Sequence, residues 1–248
     1  MTFRCDGLCK SFDGIRALAD VQLQFPDTGI TAIIGPNGAG KTTLLNVLTG
    51  FLRADGGRCF LGDRDTTRLA SHQIAQFGVA RTFQDLRLIL RVSVLDNALL
   101  ARPTQTGESL VGALLRLGVA AEEARNGDVA MRLIKFVGLE DKAQELAGEL
   151  SYGQQKLLTL ACCLATEARI LLLDEPVAGV HPEMVSRILD LLRQLCDQGK
   201  LVVFIEHDIA AVRQIADHVI VMDEGKIIAE GPPDEVLDRS EIMEAYFG

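Results

Sequence analysis

The stretch Gly35-Pro36-Asn37-Gly38-Ala39-Gly40-Lys41-Thr42-Thr43 constrains this chain more than any other. It follows the short β-branched run Gly29-Ile30-Thr31-Ala32-Ile33-Ile34 and precedes Leu44 to Thr49, whose composition is helical, so the glycines fall at a strand-to-helix turn. Gly35, Gly38 and Gly40 let the backbone bend so that successive N–H groups point inward, and the following helix adds the positive end of its dipole at the same spot. Such a loop cradles a polyphosphate. Lys41 is placed to set its ammonium between the β- and γ-phosphates, and the Thr42 hydroxyl to ligate the Mg²⁺ that neutralises them.

The 248 residues suffice for one large α/β domain or for a core with a smaller lobe, and one unit with a lobe is expected. The formal charge of −9 argues against a broad nucleic-acid-binding surface. No apolar run approaches the ~18 residues of a membrane span. The N-terminus Met1-Thr2-Phe3-Arg4-Cys5-Asp6 lacks the apolar centre of a signal peptide, so a soluble cytoplasmic protein is expected. The six cysteines form no C-x-x-C pair and read as reduced thiols, with Cys162 and Cys163 as small core residues of an apolar helix.

Alternation predicts half-buried strands over Phe3–Leu8 and Val21–Phe25, joined through a turn at Asp13-Gly14, as an antiparallel sheet edge ahead of the nucleotide core. Phe12, on the polar segment between them, either packs into the core or offers its ring to a flat adenine base. Gly56 to Gly62 reads as another short edge strand, and Ser71 to Phe77 as a helix. The run Val79 to Gln84 reads as a strand that ends in a polar residue at its tip, where α/β folds touch ligands, which makes Gln84 a site candidate. From about Asp85 to Leu150 the strand signal vanishes. Helical spacing at Val94–Leu100, Leu110–Arg125 and Val129–Val137 predicts a helical lobe inserted in the sheet domain, with an exposed loop at Pro103 to Glu108.

Ser151 is a plausible N-cap for a helix through Thr166, and with Gly153 just inside, that helix start forms a second anion-binding terminus. Ile170-Leu171-Leu172-Leu173 describes a strand buried on both faces, which delivers Asp174 and Glu175 at its tip. Asp174 is assigned to Mg²⁺, and Glu175 to orienting the water that attacks the γ-phosphate and accepting its proton. Leu201 to Ile205 is a further buried strand that ends in Glu206-His207-Asp208, where His207 can donate to a phosphate oxygen. The other histidines, His72, His181 and His218, default to structural or surface roles. The tail alternates at His218–Met222 and Lys226–Gly231 and closes in short helices through Tyr246.

Taken in order, these motifs resemble the ATP-binding subunit of ABC transporters: a Walker A loop at Gly35 to Thr43, a glutamine loop at Gln84, a signature at Leu150 to Gln154, a Walker B strand ending at Asp174 and Glu175, and a switch histidine at His207. Within the family, Arg81-Thr82-Phe83-Gln84, Glu175-Pro176-Val177-Ala178-Gly179, Glu206-His207-Asp208 and Ala245-Tyr246-Phe247-Gly248 look most like the branched-chain amino acid importer ATPases. The resemblance implies an α/β fold: a P-loop ATPase core with an antiparallel β subdomain and an inserted helical subdomain at about 85–150. It implies ATP and Mg²⁺ as ligands, with Ser151, Gly153 and Gln154 at the nucleotide of a partner and Gln84 sensing Mg²⁺ and the γ-phosphate. It also implies a second ATPase subunit, identical or paralogous, separate permease subunits, a solute-binding protein acting indirectly, no nucleic acid, and a peripheral place on the cytoplasmic face of the membrane. A urea or amide importer, a lipid or polysaccharide exporter, a non-transport ABC ATPase and a P-loop kinase are the rival readings. The long coiled coil or fused second unit usual in a non-transport relative is absent.

Two departures from the family pattern stand out. Tyr152 replaces the first glycine of L-S-G-G-Q, and Ala178-Gly179-Val180-His181 stands where S-A-L-D is common, so the aspartate is missing. The run Leu86 to Val92 after Gln84 is apolar for a loop, and either packs inside the lobe or receives a helix of a membrane partner.

Overall fold

A computed structural model describes residues 2–103 and 119–239. The expected loop at Pro103 to Glu108, the start of the helix predicted from Leu110, the closing helices through Tyr246 and the Ala245 to Gly248 string fall wholly or mainly outside these residues. The chain divides into two compact units. The first is Met1–Arg81, Arg169–Ala178 and Val185–Gly248; the second is Thr82–Ala168 and Gly179–Met184.

In chain order the strands are β1 (Phe3–Phe12), β2 (Ile15–Gln24), β3 (Gly29–Ile34), β4 (Gly56–Leu61), β5 (Arg64–Asp65), β6 (Val79–Arg81), β7 (Ile170–Asp174), β8 (Leu201–Ile205), β9 (His218–Asp223) and β10 (Lys226–Gly231). The first unit holds all of them, in two sheets of order β2-β1-β4-β5 and β10-β9-β3-β8-β7-β6. β1 and β2 run to the hairpin tip, where Asp13 (φ 47°) and Gly14 (φ 86°) both sit at positive φ, as a two-residue hairpin turn that matches strand twist requires. The stretch expected as an edge strand, β4, is interior. A turn at Gly62-Asp63 folds the chain back, so that Phe60 pairs with Asp65 while Cys59 keeps its place opposite Cys5 of β1.

In the second sheet β3, β6, β7, β8 and β9 are parallel, and β10 closes it antiparallel to β9. β7 and β8 are buried along their whole length, which is why both read as uninterrupted apolar runs rather than alternating ones. β6 is shorter than expected: it leaves the ladder after Arg81, whose side chain turns inward to Asp174. Gln84 therefore lies three residues beyond the strand, in the second unit, and not at the strand tip. The first two helices of this unit are α1 (Lys41–Leu48) and α2 (Ser71–Gln76). Leu44, Leu45 and Leu48 of α1 are fully buried in one core with Phe3, Phe25, Ile33, Leu172 and Val203.

The second unit is helical, with α3 (Val94–Leu100), α4 (Val119–Phe136) and α5 (Tyr152–Ala165) packed on one another. α4 buries Ala130 and Ile134, and Val137 just past its end, at the spacing of one helix face. From Val119 onward, the described part of the helix expected at Leu110–Arg125 and the helix expected at Val129–Val137 are one element across Gly127. A Cβ added there would meet open space, and helix propensity alone, costing about 1 kcal/mol for glycine, does not break the run. The chain then enters α6 (Pro182–Asp197), which buries Ile188, Leu189, Leu191, Leu192 and Leu195. Past β8 come α7 (Ile209–Ile215) and α8 (Pro233–Leu237).

Candidate functional site

The glycines of the phosphate loop are held by what surrounds them. A Cβ on Gly35 (φ 151°) would stand 2.0 Å from the carbonyl oxygen of Met222, and one on Gly40 (φ 97°) 2.3 Å from that of Ala17. Gly40 is the N-cap of α1, with no side-chain cap, so the first N–H groups of the helix face the turn. Lys41 is buried, and its Nζ donates to Gly35 O at 2.6 Å and Pro36 O at 2.9 Å, folding the ammonium into the loop. Burial holds its pKa below the usual lysine value, and the charges of Glu175 and Asp174 oppose that shift. A desolvated cation ringed by backbone dipoles and facing two carboxylates suits an anion that carries its own counter-cation. Thr42 is exposed and Thr43 half-buried in the first turn of α1.

Asp174 ends β7 opposite Ile205 and is 3 % exposed. Its Oδ2 accepts from Arg81 at 3.2 Å, and the same guanidinium donates to Asn46 Oδ1 at 2.7 Å and Thr49 Oγ1 at 3.3 Å on α1. Glu175 follows at φ 49°, an uncommon conformation for a residue with a side chain, pinned by its N–H donating to Ile205 O at 3.0 Å. The turn carries its Oε1 to within 3.1 Å of His207 Nε2. Behind that pair Glu206 is 2 % exposed; its Oε1 accepts from Val177 N at 2.8 Å and its Oε2 from His207 N at 3.3 Å. Asp208 caps α7 by accepting from Ala210 N and Ala211 N. Lys41, Asp174, Glu175 and His207 thus gather at the C-terminal ends of β3, β7 and β8, neighbours in the sheet.

The Thr42 hydroxyl and the Asp174 carboxylate are hard oxygen donors, of the kind Mg²⁺ takes in small number beside phosphate oxygens and water, so the residues fit that ion.

Gln84 and Ser151 to Gln154 belong to the second unit. Gln84 is exposed in a loop. Ser151 is the N-cap of α5: its Oγ accepts from Gln154 N at 3.4 Å while Gln154 Oε1 accepts from Ser151 N at 3.0 Å, a reciprocal capping box that occupies the glutamine side chain. Gly153 is tightly set, since a Cβ there would meet Met184 Cγ at 3.0 Å and Val180 Cγ1 at 3.2 Å. Tyr152 lies against Gly179 (φ 72°), where a Cβ would stand 3.4 Å from its ring. The two departures from the family pattern therefore touch each other.

Phe12 is exposed at the end of β1 with Lys10 Nζ 5.4 Å from its ring centroid, so it is not a core residue. The sequence assigned no role to Arg81 or Glu206, nor to Asn97 of the second unit, which is buried in α3 and bonds Ile89 N, Ile89 O, Val92 O and Ser93 O. Arg81 and Glu206 stand beside recognised motif residues, which was the only signal available.

The model of the ABC transporter family matches residues 18–178. The chain is 36% identical over 244 residues to the high-affinity branched-chain amino acid transport ATP-binding protein BraF of Pseudomonas aeruginosa, covering 98% of this chain and 96% of that one. It is 36% identical over 245 residues to LivG of Escherichia coli, a protein of the same description, with the same two coverages. Among solved structures, the ADP conformation of an ATP-binding cassette of an ABC transporter superposes with a TM-score of 0.87 at 34% identity, covering 100% of this chain and 99% of that one. The chain belongs to the ABC transporter family as an ATP-binding, ATP-hydrolysing subunit.

Proposed function

We propose that this subunit hydrolyses ATP to energise import of branched-chain or related amino acids through separate membrane subunits. The observation that carries the ATPase chemistry is the gathering of Lys41, Asp174, Glu175 and His207 at adjacent strand tips. The solute rests on the relatives, which are branched-chain amino acid transport proteins over nearly their whole length.

In this reading the backbone N–H groups of Gly35 to Thr43 and the Lys41 ammonium bind the β- and γ-phosphates, and Phe12 supplies a face for the adenine. Thr42 and Asp174 would hold Mg²⁺, which when bound would neutralise phosphate charge. Glu175 accepts the proton of the attacking water. His207, 3.1 Å from Glu175, holds the carboxylate in place and donates toward the γ-phosphate as charge develops. Ser151, Gly153 and Gln154 serve the nucleotide of a second ATPase subunit, identical or paralogous. Ile89 and Leu90, each 51% exposed on the lobe, receive a cytoplasmic segment of a permease. The subunit then sits peripherally on the cytoplasmic face of the membrane; among the described residues no helix is long and apolar enough to cross it.

The test is Glu175→Gln in the assembled transporter. Turnover is expected to fall at least roughly a hundredfold, the loss typical of removing a general base, while ATP binding persists. Leucine delivered by the solute-binding protein is expected to stimulate hydrolysis by the parent complex. Near-parental hydrolysis by the variant refutes the role of Glu175, and a parent indifferent to leucine but stimulated by another solute refutes the substrate.

A further inference from the structure

Arg81 carries a buried guanidinium that reaches two elements of the proposed nucleotide site. Its side chain is 4% exposed and that of Asp174 3%. One nitrogen of the fork meets Asp174 Oδ2 at the tip of β7, and the other meets Asn46 Oδ1 and Thr49 Oγ1 on and just past α1. Asn46 lies one helical turn beyond Thr42 on that same helix. The two oxygen donors available to Mg²⁺ are carried by separate elements, Thr42 by α1 and Asp174 by β7, and the guanidinium bridges those elements directly. Only a planar fork with several donors can do so; a lysine ammonium offers a single point.

We propose that Arg81 is a positioning residue for the metal, a strut that fixes the spacing between the Thr42 helix and the Asp174 carboxylate. The proposal rests on the assignment of Thr42 and Asp174 to Mg²⁺. Mg²⁺ demands near-ideal octahedral geometry and tolerates a loose donor pair poorly, so loss of a supporting partner weakens it by roughly 10- to 100-fold. Electrostatics alone pulls the other way, because a cation 3.2 Å from Asp174 repels a second cation, and its removal on that ground tightens Mg²⁺. The two effects have opposite signs, and the geometry of the fork decides for the strut. Arg81 also ends the first segment of the first unit, and the chain passes at Thr82 into the segment that carries Gln84.

The experiment compares the parent protein with Arg81→Gln and Arg81→Lys. Each is melted alone, with ATP and EDTA, and with ATP and graded Mg²⁺, beside steady-state hydrolysis over the same Mg²⁺ series. For Arg81→Gln the shift given by ATP with EDTA is expected to match the parent. The further shift given by Mg²⁺ shrinks, the Mg²⁺ concentration for half-maximal hydrolysis rises at least tenfold, and KM for ATP at saturating Mg²⁺ stays near parental. Arg81→Lys keeps the charge without the fork and is expected to show the same direction, more mildly; it carries the test if Arg81→Gln does not fold. Tighter Mg²⁺ in Arg81→Gln, or a lower melting point of the free protein with unchanged Mg²⁺ dependence, overturns the strut. A parent protein that gains nothing from Mg²⁺ with ATP overturns instead the metal assignment beneath it.

Discussion

Glu206 is a buried carboxylate of the candidate site whose two oxygens both accept backbone N–H groups. It stands buried behind His207 and takes both Val177 N–H and His207 N–H, tying the turn after β7 to the turn after β8. Glu206→Ala leaves the Val177 N–H buried without this acceptor, at about 1–3 kcal/mol, so melting is expected to fall by several degrees. Hydrolysis is expected to fall further than ATP binding, because Glu175 and His207 flank the loosened turns while Lys41 does not; Glu206→Gln keeps an accepting oxygen and is expected to recover most of both. Lower stability with an unchanged rate per folded molecule refutes the positional part. The thiols give a pH signature. Burial pushes Cys59 and Cys162 up to about 12 and Cys5 higher still, against 9.0 for an unperturbed thiol. The unfolded chain then loses these protons first, so their contribution is complete below pH 9 and is lost as pH rises from 9 toward 12. Melting is expected to decline above pH 9, and Cys59→Ala to flatten that decline; an identical slope in the variant refutes the assignment. At this scale the sequence disclosed Lys41, Asp174, Glu175 and His207, since each closes a local motif. Arg81 and Glu206 stayed hidden because their partners lie 93 and 29 residues away, and no local pattern records a contact of that range.

Among the elements, what was legible followed periodicity and burial. β3, β7 and β8 are short apolar runs enclosed on both faces, and Ser151 as an N-cap marked the start of α5. β6 was overread, since strand-favouring residues recur at Thr82 and Phe83 while the ladder stops where Arg81 turns inward. The loop at Leu86 to Val92 was left with two readings, and the structure divides them by residue: Leu86 and Leu88 are half-buried, whereas Ile89 and Leu90 are exposed. Asn97 ties that loop to α3: its amide donates to Ile89 O and Val92 O of the loop and to Ser93 O at the helix start, and accepts from Ile89 N. At 0.5–1.5 kcal/mol for each of the four hydrogen bonds, Asn97→Ala is expected to cost about 2–6 kcal/mol. Ile89→Ser, by contrast, removes no buried contact and is expected to leave melting and ATPase of the isolated subunit near parental while weakening co-purification with the permease. A melting point several degrees lower, with normal co-purification, would show Ile89 to be core and move the docking surface elsewhere on the lobe.

For the molecule as a whole, the decisive feature is that one chain carries two helix starts proposed to bind phosphate, α1 after the phosphate loop and α5 capped by Ser151, in two different units. If the second serves a partner's nucleotide, two copies paired about a two-fold axis each complete the site of the other, and the interface exists only while nucleotide is bound. The cleanest test uses variants that fail alone for opposite reasons, both in the Glu175→Gln background so that ATP persists. Lys41→Ala removes the ammonium from a chain's own loop. Ser151→Glu sets a carboxylate where the partner's γ-phosphate is to be met, at a position where the helix start itself tolerates negative charge. Neither variant alone is expected to dimerise with ATP, because every site of each homodimer carries the defect. In a 1:1 mixture the double defect collects in one site and leaves the other wholly intact, so light scattering is expected to show a heterodimer and native mass spectrometry one bound ATP. A mixture that stays monomeric while the Glu175→Gln parent dimerises means that the two helix starts do not share a nucleotide across subunits. A parent that dimerises only with a second, different ATPase chain assigns the partner to a paralogue, and the same mixing rule then applies between the two chains.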